Sequence, residues 1–200
     1  MNLVLVGFMA SGKSSIGRRL AQRLGYTFVD TDHFIEGEVG CTISELFELQ
    51  GEDYFRRMES RVAARLHLLQ NTVIATGGGL PITPGNMAHL KAAGVVVFLK
   101  AEPEDIIKRL ERDTRRPKVQ GGDLREKVTG LYAERLPTYT QADLVVETTG
   151  KGMNRVCGEI IRRGLELHGQ RTGETIAPPK EDSGEEEEEG SAEDATHSAD

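Results

Sequence analysis

The octet Gly7-Phe8-Met9-Ala10-Ser11-Gly12-Lys13-Ser14 fits G-x-x-x-x-G-K-[ST] at every fixed position. It follows the apolar run Leu3-Val4-Leu5-Val6, which reads as a strand covered on both faces. It precedes a stretch in which Ile16, Leu20, Ala21 and Leu24 fall at helical spacing until Gly25 stops the pattern. Strand, glycine loop and helix in that order make a phosphate-binding loop. Glycines let the backbone bring N–H groups onto an anion, and the helix points its positive dipole end at the same place. Lys13 is then placed to reach β- and γ-phosphates, and the Ser14 hydroxyl to ligate Mg²⁺. ATP or GTP binding follows, and with it a parallel α/β fold.

The rest of the chain agrees with that fold class. Thr27-Phe28-Val29 reads as a short strand ending at Asp30, and Thr72-Val73-Ile74-Ala75 as another that runs into Gly77-Gly78-Gly79. Residues near Ile43 to Leu69 predict two or more helices, followed after a turn by a helix through Met87 to Ala93. Val95 to Leu99 gives the strongest strand pattern of the chain. Helices over about Pro103–Arg112, Leu124–Leu136 and Met153–Leu167 bracket a fifth strand at Leu144-Val145-Val146. Strands alternating with helices at this spacing predict a parallel sheet covered by helices.

Charge divides the chain unevenly. Residues 174–200 hold eleven acidic residues, Glu185–Glu189 unbroken among them, and one lysine. They carry −10 of a net charge of −7, which leaves +3 on residues 1–173. The acidic stretch cannot bury apolar surface and is expected to be a disordered tail over about 171–200, with one catalytic domain over 1–170. A body charge of +3 suits small anions and gives no argument for nucleic acid. Cys41 and Cys157 lack the spacing of a zinc site or a disulfide framework. No segment reads as a signal peptide or a membrane span, so the expectation is a soluble cytoplasmic protein.

Four features beyond the loop bear on an acceptor. Asp30-Thr31-Asp32 ends the second strand, where ligands of open α/β sheets collect; one carboxylate can support magnesium and the other accept bonds from hydroxyls, although helix capping would explain the pair equally well. Arg56 and Arg57 are adjacent on a helix and point about 100° apart, so one of them at most faces a given ligand, and a solvated helix face is the alternative. Gly77-Gly78-Gly79 weakens a fold unless something approaches the backbone closely. Arg109, Arg112, Arg115 and Arg116, ahead of Pro117 and Gly121-Gly122, suit a segment that closes over phosphates and stabilises transferring charge, or a solvated basic loop; Arg135 is a further candidate for an anionic substrate.

Taken together, the phosphate loop, Asp30-Thr31-Asp32, Phe55-Arg56-Arg57-Met58-Glu59, Gly77-Gly78-Gly79, Arg116-Pro117 and Arg135-Leu136-Pro137-Thr138-Tyr139 resemble the shikimate kinase family in order and spacing over residues 1–150. The resemblance implies a three-layer P-loop kinase fold of the nucleoside-monophosphate-kinase type. Its five-stranded parallel sheet runs in the order 2-3-1-4-5, with a substrate-binding helical region over about 31–62 and a mobile lid over about 111–123. It implies transfer of the ATP γ-phosphate to the 3-hydroxyl of shikimate, in aromatic amino-acid biosynthesis, by a monomer. By similarity Gly7, Ala10, Ser11, Gly12, Lys13, Ser14 and Ser15 hold the nucleotide, with Arg109 near the adenine. Ser14 and Asp30 serve Mg²⁺, and Lys13 and Arg116 stabilise the phosphoryl group. Asp32, Arg56, Gly78, Gly79 and Arg135 bind shikimate, the two arginines on its carboxylate, with Asp32 on the ring hydroxyls and in a catalytic role.

The chain departs from the family's usual pattern at Ala10, where glycine is common, at Lys118-Val119, where leucines are common, and in the tail beyond about Gln170. The alternatives are another small-metabolite kinase of this fold, such as a gluconate kinase, or a nucleotide-binding regulatory module without turnover. Against the second, Lys13, Asp32 and Arg116 are all intact.

Overall fold

The structure, a computed structural model, describes residues 1–112 and 123–179. Five strands, β1 (Leu3–Val6), β2 (Thr27–Asp30), β3 (Thr72–Ala75), β4 (Val95–Lys100) and β5 (Leu144–Glu147), alternate with α1 (Lys13–Leu24), α2 (Thr31–Val39), α3 (Ile43–Arg65), α4 (Asn86–Ala93), α5 (Pro103–Arg112), α6 (Leu124–Tyr139) and α7 (Met153–Thr172). All the strand pairs are parallel, and the sheet runs β2-β3-β1-β4-β5, the order that the family resemblance implies.

Side chains alternate across a strand, so β1 feeds two cores at once. Leu3 and Leu5 pack with Val73, Val95, Val97 and Leu99 against Ile16 and Leu20 of α1 and Val156, Cys157, Ile160 and Ile161 of α7. Val4 and Val6 pack with Ile74, Val96 and Phe98 on the other face, against residues of α2 to α6. Every residue of β1 is fully buried, which is why the run shows no polar alternation.

Local chemistry sets the helix ends. Gly12 starts α1 at φ 96° and Gly25 ends it at φ 67°. A capping box starts α3: Thr42 accepts the Glu45 N–H, and the Glu45 carboxylate accepts the Thr42 N–H. Gly51, at φ 78° and ψ 173°, divides α3 into two helices across a kink, and a 3₁₀ turn follows at Leu66–Leu68, in line with the two or more helices expected there. The helical region implied over about 31–62 begins with α2, which buries only Thr31 and Ile35 and so carries little periodic signal of its own. At the other end, α7 continues to Thr172, five residues past the expected end and beyond the domain boundary placed at residue 170.

Residues 113–122, the centre of the expected lid, with Arg115, Arg116, Lys118, Val119, Gly121 and Gly122, lie outside the described residues, as do residues 180–200 of the acidic stretch.

Candidate active site

Parallel strands all deliver their carboxyl ends to one edge of the sheet. Ala75 pairs with Leu5 on one side and Asp30 on the other. The loop after β1, the start of α2 and the glycine turn after β3 therefore meet by register alone. In open α/β sheets that edge is where ligands bind.

The phosphate loop is drawn tight around its own lysine. Lys13 Nζ donates to the Gly7 carbonyl at 2.9 Å and the Phe8 carbonyl at 2.7 Å, and the residue is buried. The buried Ser11 hydroxyl has no hydrogen-bond partner among the described residues, which leaves it for a ligand oxygen. Ser15 is exposed at the start of α1, where its N–H belongs to the unpaired first turn. Ala10 sits at φ 58°, in the left-handed region that favours glycine. Arg109, at the end of α5, donates to the Ala10 carbonyl at 3.0 Å, so it does lie beside the loop.

Asp30 does both jobs that its position allows. One carboxylate oxygen accepts the Asp32 N–H at 3.1 Å and caps α2, while the other accepts the Ser14 hydroxyl at 2.7 Å. Ser14 and Asp30 thus put two hard oxygens together at the head of the loop. That donor set fits Mg²⁺, which takes one or two protein ligands and completes its shell with phosphates and water. Among the described residues no cluster of three or more His, Cys, Asp or Glu could hold a metal by itself.

Asp32 faces the cleft with one buried oxygen that has no partner among the described residues. Burial pushes its carboxyl above the usual aspartate range, the Asp30 charge adds to the rise, and Lys13 opposes it. An acceptor in that state gains when a ligand hydroxyl arrives to satisfy it.

The glycine turn explains itself by space. None of Gly77, Gly78 and Gly79 lies in the left-handed region that favours glycine. A Cβ on Gly77 would collide with Asp32 Oδ1, and one on Gly79 would overlap the Arg56 guanidinium. At Gly78 a Cβ would meet Met9 N at 3.5 Å, Gly7 O at 3.6 Å and Arg135 Nη1 at 3.9 Å. Three consecutive positions thus back three predicted substrate groups, with the phosphate loop alongside.

Arg56, not Arg57, turns inward. It bonds Glu59 at 2.7 Å and Glu52 at 2.7 Å; Arg57 is exposed and stacks over Tyr54. Arg135 lies over the Phe8 ring, 5.9 Å from its centroid. Outside the sequence expectations stand Glu59, Thr31 and Tyr139. Glu59 is a carboxylate only 1% exposed, pushed up by burial and pulled back by Arg56. The Thr31 hydroxyl accepts the Gly77 N–H at 2.9 Å, and the Tyr139 hydroxyl donates to the Gly78 carbonyl at 2.7 Å. All three stand inside quoted motifs, but nothing local in sequence marks which partner they meet. Two concavities, of 610 Å³ beside α2 and α3 and 870 Å³ beside α7, contain none of the predicted site residues.

Comparison with known proteins gives a consistent result. The model of the shikimate kinase family matches residues 9–164. A shikimate kinase of Caldanaerobacter subterraneus subsp. tengcongensis is 37% identical over 169 residues, covering 84% of this chain and 99% of that protein. The structure of a shikimate kinase from Acinetobacter baumannii in complex with shikimate superposes with a TM-score of 0.76 at 36% identity, covering 86% of this chain and 94% of that one. A gluconokinase from Sinorhizobium meliloti, at 18% identity and a TM-score of 0.53 over 84% of this chain and 96% of its own, is similar in fold alone.

Proposed function

This chain belongs to the shikimate kinase family, and from that premise we propose that it transfers the γ-phosphate of ATP to the 3-hydroxyl of shikimate, giving shikimate 3-phosphate and ADP in aromatic amino-acid biosynthesis. One observation carries the substrate assignment: Gly77, Gly78 and Gly79 back Asp32, the phosphate loop with Arg135, and Arg56 in turn. An acceptor of hydroxyl protons and two guanidinium groups beside a phosphate loop suit a small ring bearing hydroxyls and a carboxylate.

In this reading the N–H groups of residues 10–15 and the Ser11 hydroxyl hold the phosphates, with Arg109 beside the loop. Lys13 leaves the Gly7 and Phe8 carbonyls to reach the β- and γ-oxygens, where charge develops as the phosphoryl group moves. Ser14 and Asp30 hold Mg²⁺, which when bound neutralises phosphate charge. Arg56 keeps its bond to buried Glu59 and exchanges exposed Glu52 for the substrate carboxylate, which a planar fork can grip bidentately. Arg135 approaches the same carboxylate, and Asp32 accepts the ring hydroxyls and orients the attacking oxygen. A loose transition state needs little from a base, so positioning and charge supply most of the rate. Arg116 stays in the proposal as the phosphoryl-stabilising arginine of the lid.

We place the enzyme in the cytoplasm as a monomer acting on small molecules, without a nucleic-acid or membrane partner. No helix among the described residues is long and apolar enough to cross a membrane. The test is ADP release from Mg-ATP with shikimate, with gluconate and with no acceptor. Turnover with shikimate alone is expected; turnover with gluconate instead, or none despite ATP binding, overturns the reading.

A further inference from the structure

Two hydroxyls hold the glycine turn from opposite ends, and neither belongs to a group assigned to the substrate. Thr31, fully buried at the first position of α2, accepts the Gly77 N–H at 2.9 Å. Tyr139, fully buried at the last position of α6, donates its hydroxyl to the Gly78 carbonyl at 2.7 Å. The Tyr139 ring stacks on Phe98 of β4 with centroids 5.2 Å apart, which anchors the hydroxyl to the sheet. Arg135 lies one helical turn earlier on α6, with its Nη1 3.9 Å from the place a Cβ on Gly78 would take. The turn is closed further on by the Leu80 N–H on Gly77 O and the Ile82 N–H on Gly79 O.

We propose that Tyr139 and Thr31 are positioning residues for the acceptor site. Successive glycines have the largest backbone freedom to lose, so a glycine turn presents fixed donors only if it is held from outside. Pinning the Gly77 N–H and the Gly78 carbonyl fixes the peptide planes of the turn that backs Asp32 and Arg56. Tyr139, anchored on Phe98 and Gly78, also fixes the end of α6 one turn beyond Arg135, so the turn and the arginine beside it are pre-arranged as one surface. Pre-organisation of this kind acts on acceptor affinity, because the ordering cost is met before binding. The phosphate loop keeps its own lysine and capping contacts and should feel little of the change. This inference rests on the acceptor assignment above.

Tyr139→Phe tests it directly, since the ring and its stacking remain and one O–H is lost. The KM for shikimate and its calorimetric Kd should rise about fivefold to tenfold, the scale of one hydrogen bond. The kcat and the KM for ATP should stay within about twofold. Thr31→Val should give the same split, and Thr31→Ser, which keeps the acceptor oxygen, should restore it. If Tyr139→Phe fails to fold, the Thr31→Val and Thr31→Ser pair decides by the same criterion. Wild-type turnover of shikimate with an unchanged shikimate KM in the variants overturns this inference alone, as does a parallel rise in the KM for ATP. Absence of wild-type turnover with shikimate overturns the functional reading and this inference with it.

Discussion

Replacing Gly79 by alanine should separate substrate binding from folding. Its φ of −85° and ψ of −24° are ordinary for alanine, so the backbone has no objection. The added Cβ would overlap the Arg56 guanidinium, with Arg56 Cζ at 2.9 Å and Nη2 at 3.1 Å. That is the far end of a flexible side chain, so Arg56 gives way and the turn stays. Folding gains about 0.4–1 kcal/mol from the stiffer unfolded chain. Against this, the buried Glu59 bond is strained, so the melting temperature should move by no more than about 5 °C. Binding has no such offset. A charge-assisted bond to a carboxylate contributes about 1.5–3 kcal/mol, and at about 1.4 kcal/mol per factor of ten its loss raises the shikimate KM roughly 10- to 150-fold. Coupled ADP release at saturating ATP reads this directly, with the KM for ATP as the control. A folded Gly79→Ala enzyme with wild-type shikimate KM would refute the placement of Arg56. Gly77→Ala is the companion: it displaces Asp32, so the loss should fall mainly on kcat, on the order of 10²-fold.

Further outcomes follow from the same geometry. Lys13→Ala should lower kcat/KM on the order of 10³-fold in a steady-state assay while far-UV circular dichroism still reports a folded chain; retained turnover would remove Lys13 from phosphoryl transfer. Ala10→Gly relieves a left-handed alanine at φ 58° and should raise stability by up to about 1 kcal/mol; a lower midpoint in urea would count against that backbone geometry. The raised Asp32 pKa means that the folded state holds this proton more tightly than the unfolded chain. Its contribution to stability is therefore present below the ordinary aspartate pKa and is lost as pH rises through the folded value. Asp32→Asn should flatten that part of the stability–pH curve while turnover collapses, and an unchanged curve would contradict the buried, unsatisfied carboxylate. A chain ending at Gly173 lacks the whole acidic stretch and should keep kcat within about twofold, with a large fall refuting a dispensable tail.

What the sequence by itself determined is whatever depends on neighbours along the chain. The octet at Gly7–Ser14 needs only its flanking strand and helix to be recognised. Strands β1, β3 and β4 show as apolar runs because the middle of a parallel sheet is buried on both faces, and Gly25 marks a helix end through bonds that span a few residues. Helix α2 shows only through the family resemblance, because it is short and buries only two residues, with Asp30 serving as cap and site residue together. Everything that chooses between candidates is non-local. Helical spacing does not separate Arg56 from Arg57; the family resemblance selects Arg56, and burial of Glu59 together with the space over Gly79 is what turns it inward. The three glycines read as a demand for close approach to the backbone; only the packed structure shows which groups approach, Asp32, Arg135 and Arg56. Tyr139 meets Gly78 across 61 residues and Thr31 meets Gly77 across 46, distances over which no pattern of spacing carries information. Tertiary structure decided those contacts because a hydrogen bond depends on separation in space, which the parallel register sets and the spacing along the chain does not.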